Sequence, residues 1–183
     1  MADISQIGGV IGGLSELAAA SRATEAETAL GSPEVYAALL EFNECVRYLN
    51  TRRSSGAVLR LDSEAAVQDA LFLMLRPWIR DLIPEAPSEK SGNRFSVCDF
   101  ASRALKLVIE AKFIRDRQHG KTISKELYDD IEVYRHNAHC EHILFFVYDP
   151  DSNIPDEREL RRTIEQRRVY DDRVLMCTLI VKP

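Results

Sequence analysis

The segment that decides the fold is residues 95–113, FSVCDFASRALKLVIEAKF. Two apolar runs within it, 95–100 and 104–113, are separated by a short polar turn. Two such runs joined by a few residues predict an antiparallel β-hairpin. A further run, HILFFVY at 142–148, is apolar over almost its whole length, which is typical of a strand buried on both faces. The chain is therefore predicted to be built around a β-sheet.

Segments with helical periodicity lie before and between these strands. Apolar residues recur at helical spacing over 122–137, so the strands on either side of this helix should run parallel with a right-handed crossover. Another helix starts near Asp62, and a charged helix at 156–168 leads to a final strand at 174–181. This order predicts the α/β class, with a mixed central β-sheet flanked by helices.

The N-terminal part differs in composition from the rest of the chain. It is rich in Gly, Ala, Ser and Thr and leads into a helix predicted over 33–50. We therefore divide the chain into an N-terminal helical extension, residues 1–61, and a core domain, residues 62–183, a size compatible with its length. Between the first core helix and the hairpin, Pro84 and Pro87 predict turns.

Composition narrows the function classes. The formal net charge is -5, which argues against a protein that coats nucleic acid by charge alone, but not against a nuclease with a carboxylate-rich site. The four cysteines form no close pair, which favours reduced thiols. No basic region precedes the N-terminal apolar stretch, and that stretch is too short to span a bilayer. We expect a soluble cytoplasmic protein without membrane contact.

Charged residues interrupt the apolar strand that ends the hairpin. Glu110 and Lys112 are two positions apart, so their side chains should leave the same face of the strand, with Cβ atoms about 7 Å apart. Asp99 lies on the preceding strand, and hairpin pairing brings it close to Glu110. Two carboxylates and one ammonium group are therefore predicted to share a pocket.

These groups suit hydrolysis of a phosphodiester. Asp99 and Glu110, with the carbonyl of Ala111, could hold Mg²⁺ or Mn²⁺, because such hard cations prefer oxygen ligands. The cation would polarise a phosphate oxygen, and Lys112 would position water or stabilise the developing charge. The alternative is a solvated strand face, the usual setting of Glu-x-Lys. The apolar surroundings and the acid on the neighbouring strand favour a functional site.

Several stretches together resemble one nuclease family. They are SEAAVQDALFLML, CDF with KLVIEAKF, ELYDDIEVYRHNAHCEHILFFVYDP and VLMCTLIVKP. The sequence resembles the PD-(D/E)XK nuclease superfamily, and within it the nuclease domain of DpnII/MboI-type restriction endonucleases. The resemblance implies that Asp99, Glu110 and Lys112 are the catalytic residues. Cys98 stands where the name of the superfamily has proline.

The resemblance also points to two further acidic residues as candidates for the site. Glu64 matches an acidic position that some of these nucleases add to the metal site, although an acid at a helix start also suits the helix dipole. Glu126 stands where such nucleases often place a glutamine. Its charge would either add a metal ligand or weaken phosphate binding.

The resemblance implies a metal-dependent deoxyribonuclease, an effector in prokaryotic defence. A homodimer is expected, because cutting both strands of a duplex suits two sites related by a two-fold axis. No zinc finger or clear helix-turn-helix accompanies the core, so a partner protein would supply targeting or activation. The alternative is a catalytically inactive nuclease-fold subunit that acts as a nucleic-acid-binding or assembly module. An RNA nuclease with the same site is a third hypothesis.

Other polar clusters have weaker functional interpretations. A zinc site is one interpretation of a His/Cys group whose spacing fits no common zinc module. Arginines on the late helix alternate with glutamates, which favours a solvated, salt-bridged helix over phosphate contact. The charged loop predicted over 114–121 is a better candidate for phosphate contact, against an ordinary exposed turn. The His/Cys group consists of His136, His139, Cys140 and His142.

Overall fold

The computed structural model describes residues 33–51, 56, 58–87, 97–170 and 173–183. Residues 1–32 of the predicted N-terminal helical extension lie outside this part of the chain. No helix among the described residues combines the length and the apolar character that crossing a membrane requires. The elements are, in order, α1 (Pro33–Leu40), α2 (Phe42–Thr51), α3 (Glu64–Leu75), β1 (Ile83–Pro87), β2 (Val97–Ser102), β3 (Leu107–Phe113), α4 (Arg117–Tyr134), β4 (His142–Tyr148), α5 (Glu157–Ile164), β5 (Arg168–Tyr170) and β6 (Arg173–Lys182).

The strands form one mixed sheet in the order β1-β2-β3-β4-β6-β5. Strands β1, β2 and β3 are antiparallel neighbours, whereas β4 runs parallel to both β3 and β6. β5 pairs antiparallel with β6 at the other edge. The predicted α/β class and mixed sheet are confirmed, including the hairpin and the parallel crossover through α4.

Helices cover both faces of this sheet. Alternate residues of β4 supply both cores, as a strand with two buried faces requires. Phe146 packs with Leu71 of α3 on one face, and Phe145 packs with Leu127 of α4 on the other. Ile164 of α5 joins the second core. The sheet therefore holds one helical layer on each side, and both layers reach the strand that carries Glu110 and Lys112.

The first two helices pack directly on the core sheet. Val35, Leu39 and Phe42 are fully buried in the same cluster as α3. The Lys182 ammonium donates to the Leu40 carbonyl at 2.6 Å, which ties the end of α1 to the last strand. The division at residue 61 stays a prediction, but the contacts join these helices to the sheet.

Element boundaries differ from the sequence pattern in several places: the helix predicted over 33–50 is two helices, the helix predicted over 156–168 ends at Ile164, and β5 was not predicted. Two further differences, at α4 and β1, have a clear physical cause. Helix α4 begins at Arg117, five residues before the predicted start, because the Asp116 carboxylate accepts the His119 N–H at 2.8 Å and caps the helix. The loop predicted over 114–121 is therefore mostly helical. Residues around Pro84 and Pro87 form β1 rather than turns, since an edge strand tolerates residues without an N–H.

An aspartate fixes the turn between β2 and β3. Asp81 accepts the Ser102 hydroxyl at 2.7 Å and the Ala104 N–H at 2.8 Å. Although burial opposes ionisation, these hydrogen bonds hold the pKa of Asp81 below its usual value. The Asp81 carboxylate is thus directed toward the hairpin.

Gly120 marks the closest approach between α4 and the chain after β4. A Cβ atom at this position would lie 2.4 Å from the carbonyl oxygen of Asn153, which is backbone and cannot rotate away. Only glycine lets the helix approach this segment so closely.

We expect Gly120→Ala to lower the free energy of unfolding by about 1 kcal/mol. Alanine favours a helix interior by about 1 kcal/mol over glycine, but the clash acts as overpacking, at roughly 1–3 kcal/mol. Urea unfolding followed by circular dichroism measures the difference. Lys125→Ala, on the exposed side of the same helix, is the control and should change stability by less than about 0.5 kcal/mol. A Gly120→Ala protein as stable as the wild type would contradict the argument.

Candidate active site

The site lies where β2 and β3 separate. The last paired residues of the two strands on this side are Phe100 and Ile109. Past this pair, the Asp99 carboxylate replaces the backbone carbonyl that would continue the strand pairing. Its Oδ2 accepts the Ala111 N–H at 2.7 Å. Burial raises the pKa of Asp99, and the side chain of Gln68, from α3, acts in the opposite direction. Asp99 is therefore held at the gap between the strands.

Glu110 and Lys112 leave the same face of β3, as predicted. The Lys112 Nζ lies 3.8 Å from the Glu110 Oε2. Glu110 is only 4 % exposed, and its other oxygen, Oε1, accepts a hydrogen bond from the Tyr134 hydroxyl. Glu110 and Lys112 therefore lie side by side, and the charge of Asp99 interacts with both. Their catalytic roles stay predictions.

Helix α4 contributes two residues that the sequence pattern did not single out. The Asp130 Oδ2 lies 3.0 Å from the Lys112 Nζ, closer than the Glu110 carboxylate. Tyr134 follows four positions later, so both side chains project from the same side of the helix. The spacing of Asp130 and Tyr134 is visible in the sequence, but the sequence does not show that this side of α4 faces Lys112.

Burial and mutual repulsion shift the acids of this site. The pKa of Glu110 is raised to about 8, first by burial and then by the negative charges of Asp99 and Asp130. Burial also raises the pKa of Asp99. Burial alone would lower the pKa of Lys112, but the carboxylates of Asp130 and Glu110 outweigh it and raise the pKa. Lys112 therefore keeps its positive charge among acids that are costly to ionise.

Glu64 lies at the margin of this cluster. Its Oε2 accepts the Phe113 N–H at 3.4 Å, a long hydrogen bond that brings the start of α3 to the end of β3. Burial raises its pKa, and the negative charge of Asp99 adds to that shift. Glu64 is also the first residue of α3, so the helix-dipole interpretation and the ligand interpretation both remain open.

Glu126 has a different partner from the one expected. Its Oε1 lies 3.1 Å from the Nε2 of His119, and its side chain is almost half exposed. Asp130, one helical turn further on, occupies the place beside Lys112. The charge of Glu126 still reaches the site, because it helps to raise the pKa of Glu64 and of Asp130. Its role as a metal ligand stays a prediction.

The remaining candidate clusters have structural partners. His142 Nε2 lies 2.9 Å from the Thr178 hydroxyl, and the Cys140 thiol donates to the His142 carbonyl. Arg161 pairs with Glu157 and Glu165 of its own segment, which confirms the salt-bridged interpretation of the late helix. The expected phosphate-binding loop at 114–121 is largely the first turn of α4.

The donors at the gap fit a hard divalent cation. No group of three or more His, Cys, Asp or Glu side chains in the described ranges is arranged as a metal site. The candidate set is instead two carboxylates, Asp99 and Glu110, with one backbone carbonyl. The N–H of Ala111 points toward Asp99, and a strand residue directs its carbonyl to the same side as its N–H. An all-oxygen set with few protein ligands suits Mg²⁺, which keeps several waters.

The fold has a restriction-endonuclease-like core: a mixed sheet between helical layers, with two acids and a lysine on adjacent strands. The family model for DpnII-MboI restriction endonucleases matches residues 34–178. The chain belongs to the DpnII-MboI restriction endonuclease family, and this supports its assignment as a DNA nuclease. Neither a curated protein nor a solved structure matches the chain.

We expect Glu110→Gln to flatten the pH dependence of stability of the metal-free protein. A raised pKa means that the folded state binds the proton more tightly than the unfolded state does. Protonated Glu110 therefore stabilises the folded state at low pH, and this stabilisation is lost as pH rises through about 8. Glutamine cannot ionise, so its advantage over glutamate should grow with pH and reach on the order of 1–3 kcal/mol near pH 9.

Urea unfolding in EDTA at mildly acidic, neutral and mildly alkaline pH measures this difference. Glu132→Gln, on the exposed side of α4, is the control and should follow the wild-type curve. A constant difference between Glu110→Gln and wild type across the pH range would show that burial of Glu110 is not coupled to its ionisation.

Proposed function

We propose that this chain hydrolyses phosphodiester bonds of DNA with Mg²⁺ or Mn²⁺ at the gap between β2 and β3. The observation that carries the proposal is the placement of the Lys112 ammonium beside Glu110 and Asp130, with Asp99 held at the unpaired edge of β3. Family membership supports the substrate class. The metal and the residue roles are our inference from the donor set.

Each residue would perform one task. Asp99, Glu110 and the Ala111 carbonyl would hold the cation. When bound, it would polarise a phosphate oxygen and lower the pKa of a water. Lys112 has two carboxylate neighbours that favour its charged form, so it serves as a fixed positive donor for the charge that develops on the phosphate oxygens. This assigns electrostatic stabilisation, rather than proton abstraction, to the lysine.

The α4 residues would orient the groups that act. Tyr134 occupies Oε1 of Glu110, which leaves Oε2 on the side of Lys112. Asp130 restrains the Lys112 side chain, whose four-carbon stem is otherwise flexible. Preorganised donors are effective because they need no rearrangement when charge develops. Asp130 and Tyr134 are therefore positioning residues rather than catalytic ones.

The resemblance stated above also motivates proposals about context. An effector role in prokaryotic defence, a homodimer and a partner protein for targeting follow from it. A net charge of -5 supports the need for a partner or a local contact surface, because the chain as a whole repels DNA.

The alternative function is an inactive nuclease-fold subunit for binding or assembly. Its support is the surplus of acid around Lys112: Glu64 and Glu126 add negative potential to a site that already holds Asp99 and Glu110. Without a cation this site repels phosphate. Metal addition therefore separates the two functions.

We expect cleavage of plasmid DNA with Mg²⁺ or Mn²⁺ and none in EDTA. Lys112→Ala and Asp99→Ala should each lower the cleavage rate by at least about 100-fold, because the first removes the positive donor to the reacting phosphate and the second removes a ligand of the cation. Single-stranded DNA and RNA are tested in parallel. Lys125→Ala removes an exposed lysine of α4 and should cleave like the wild type.

Cleavage that survives both substitutions would reject the assigned site. A wild-type protein that cuts no substrate in any metal, alone or with candidate partners, would favour the inactive subunit. Cleavage of RNA alone would replace the DNA substrate with RNA.

We expect Asp130→Asn to lower kcat by about 10- to 100-fold with little change in KM. The substitution keeps the shape of the side chain but removes the charge beside Lys112, so the lysine is less well placed while substrate contacts remain. Asp129→Asn is a matched control, since Asp129 is adjacent but exposed. An equal effect of both substitutions would show that the general charge of α4 matters rather than the contact.

A further inference from the structure

The turn after α3 presents an aromatic ring on a rigid support. Trp78, the only tryptophan of the chain, is 54 % exposed within the sequence Arg76-Pro-Trp-Ile-Arg80. Ile79 is 2 % exposed and anchors the same turn in the core. A large exposed ring held by buried neighbours can stack on a ligand with little loss of conformational entropy.

Positive charge flanks this ring. Arg76 donates to the carbonyls of Ile79 and Arg80, which lays its guanidinium across the turn. Arg80 is exposed, and no ion pair of its side chain occurs among the residues that the structure describes. The neighbouring acid, Asp81, accepts hydrogen bonds from Ser102 and Ala104 rather than pairing with either arginine. Two exposed arginines therefore lie next to Trp78 on a chain whose formal net charge is -5.

An open apolar pocket of about 550 Å³ adjoins the two arginines. The pocket is lined by three apolar residues and two arginines: Phe72, Leu73, Pro77, Arg76 and Arg80. Leu73 is 69 % exposed, which is unusual for a leucine on a packed helix. Flat apolar surface between guanidinium groups matches the chemistry of a base attached to a phosphate backbone.

We infer that this surface, formed by Phe72, Leu73, Arg76, Pro77, Trp78 and Arg80, binds an unpaired, single-stranded segment of the DNA substrate. A single strand is required because stacking on an exposed ring needs a base that is free of its duplex neighbours. A second copy of this chain is the poorer occupant, since a two-fold contact would set like charges against each other. The inference rests on the proposed nuclease function.

The position of this surface on the chain is consistent with a single strand of DNA that extends from it to the candidate active site. Glu64 begins α3 beside β3, and Arg76 follows the other end of the same 12-residue helix. Such a helix is about 18 Å long, which equals about five phosphate spacings of roughly 3.4 Å. A strand that follows α3 from the Trp78 surface would therefore reach Glu64, at the margin of the candidate site, after about five nucleotides.

Tryptophan emission tests the inference without cleavage, because only Trp78 contributes. Lys112→Ala protein in EDTA is titrated with a single-stranded oligonucleotide of about 12 nucleotides and with the corresponding duplex. We expect quenching by the single strand, weaker at high salt, and at least about 5-fold weaker binding of the duplex.

Variants then assign the contact to this surface. Trp78→Ala and Arg80→Glu should each weaken binding of a labelled single strand by about 10-fold, whereas Trp78→Phe keeps most of it. Lys125→Glu makes the same change of charge on α4 and should bind like its parent protein.

Equal binding of single strand and duplex, or no quenching by either, would overturn the inference. A change of emission with protein concentration in the absence of DNA would assign the surface to a second copy and overturn it as well. These outcomes are independent of the proposed function, since neither metal nor cleavage enters the titration.

Discussion

The candidate site depends on one hydrogen bond, from the N–H of Ala111 to the carboxylate of Asp99. The β2–β3 ladder stops at Phe100 and Ile109, and a buried N–H without a partner would be costly there. Asp99 supplies the acceptor, so the same contact satisfies the backbone and fixes a carboxylate beside Glu110. The gap between the strands then leaves the carbonyl of Ala111 directed to the side where the acids lie. A continued ladder would have occupied that carbonyl.

Core packing keeps this arrangement in register. Ile109 and Ala111 enter the core under α3, while Glu110 and Lys112 face α4. Because side chains alternate with a period of two, a slip of one residue would turn both charges into the apolar layer under α3 and turn the apolar pair toward α4. The site and the core on the opposite face of β3 therefore specify each other. The sheet in this register requires both the charged site on one face of β3 and the apolar core on the other.

This dependence explains which parts were predictable from the sequence. The shared face of Glu110 and Lys112 follows from strand periodicity alone, and the apolar run of β4 identifies a central strand without further information. Asp130 and Tyr134 could not be assigned in the same way, because their contacts depend on how α4 is rotated about its axis above the sheet. The early start of α4 arises from a cap by Asp116 rather than from an apolar repeat, and β1 tolerates its prolines only because it lies at an edge.

The excess of acid is the property that links this structure to its proposed chemistry. Within the described part of the chain, Asp99, Glu110 and Asp130 surround the single ammonium of Lys112, and burial makes each carboxylate reluctant to ionise. Without a cation, these charges would oppose the stability of the protein. A divalent cation would relieve this repulsion and would also reverse the potential at the gap between β2 and β3 from one that repels phosphate to one that attracts it. Binding of metal and entry of the scissile phosphate into this gap would then be coupled, because the second requires the change of potential that the first produces.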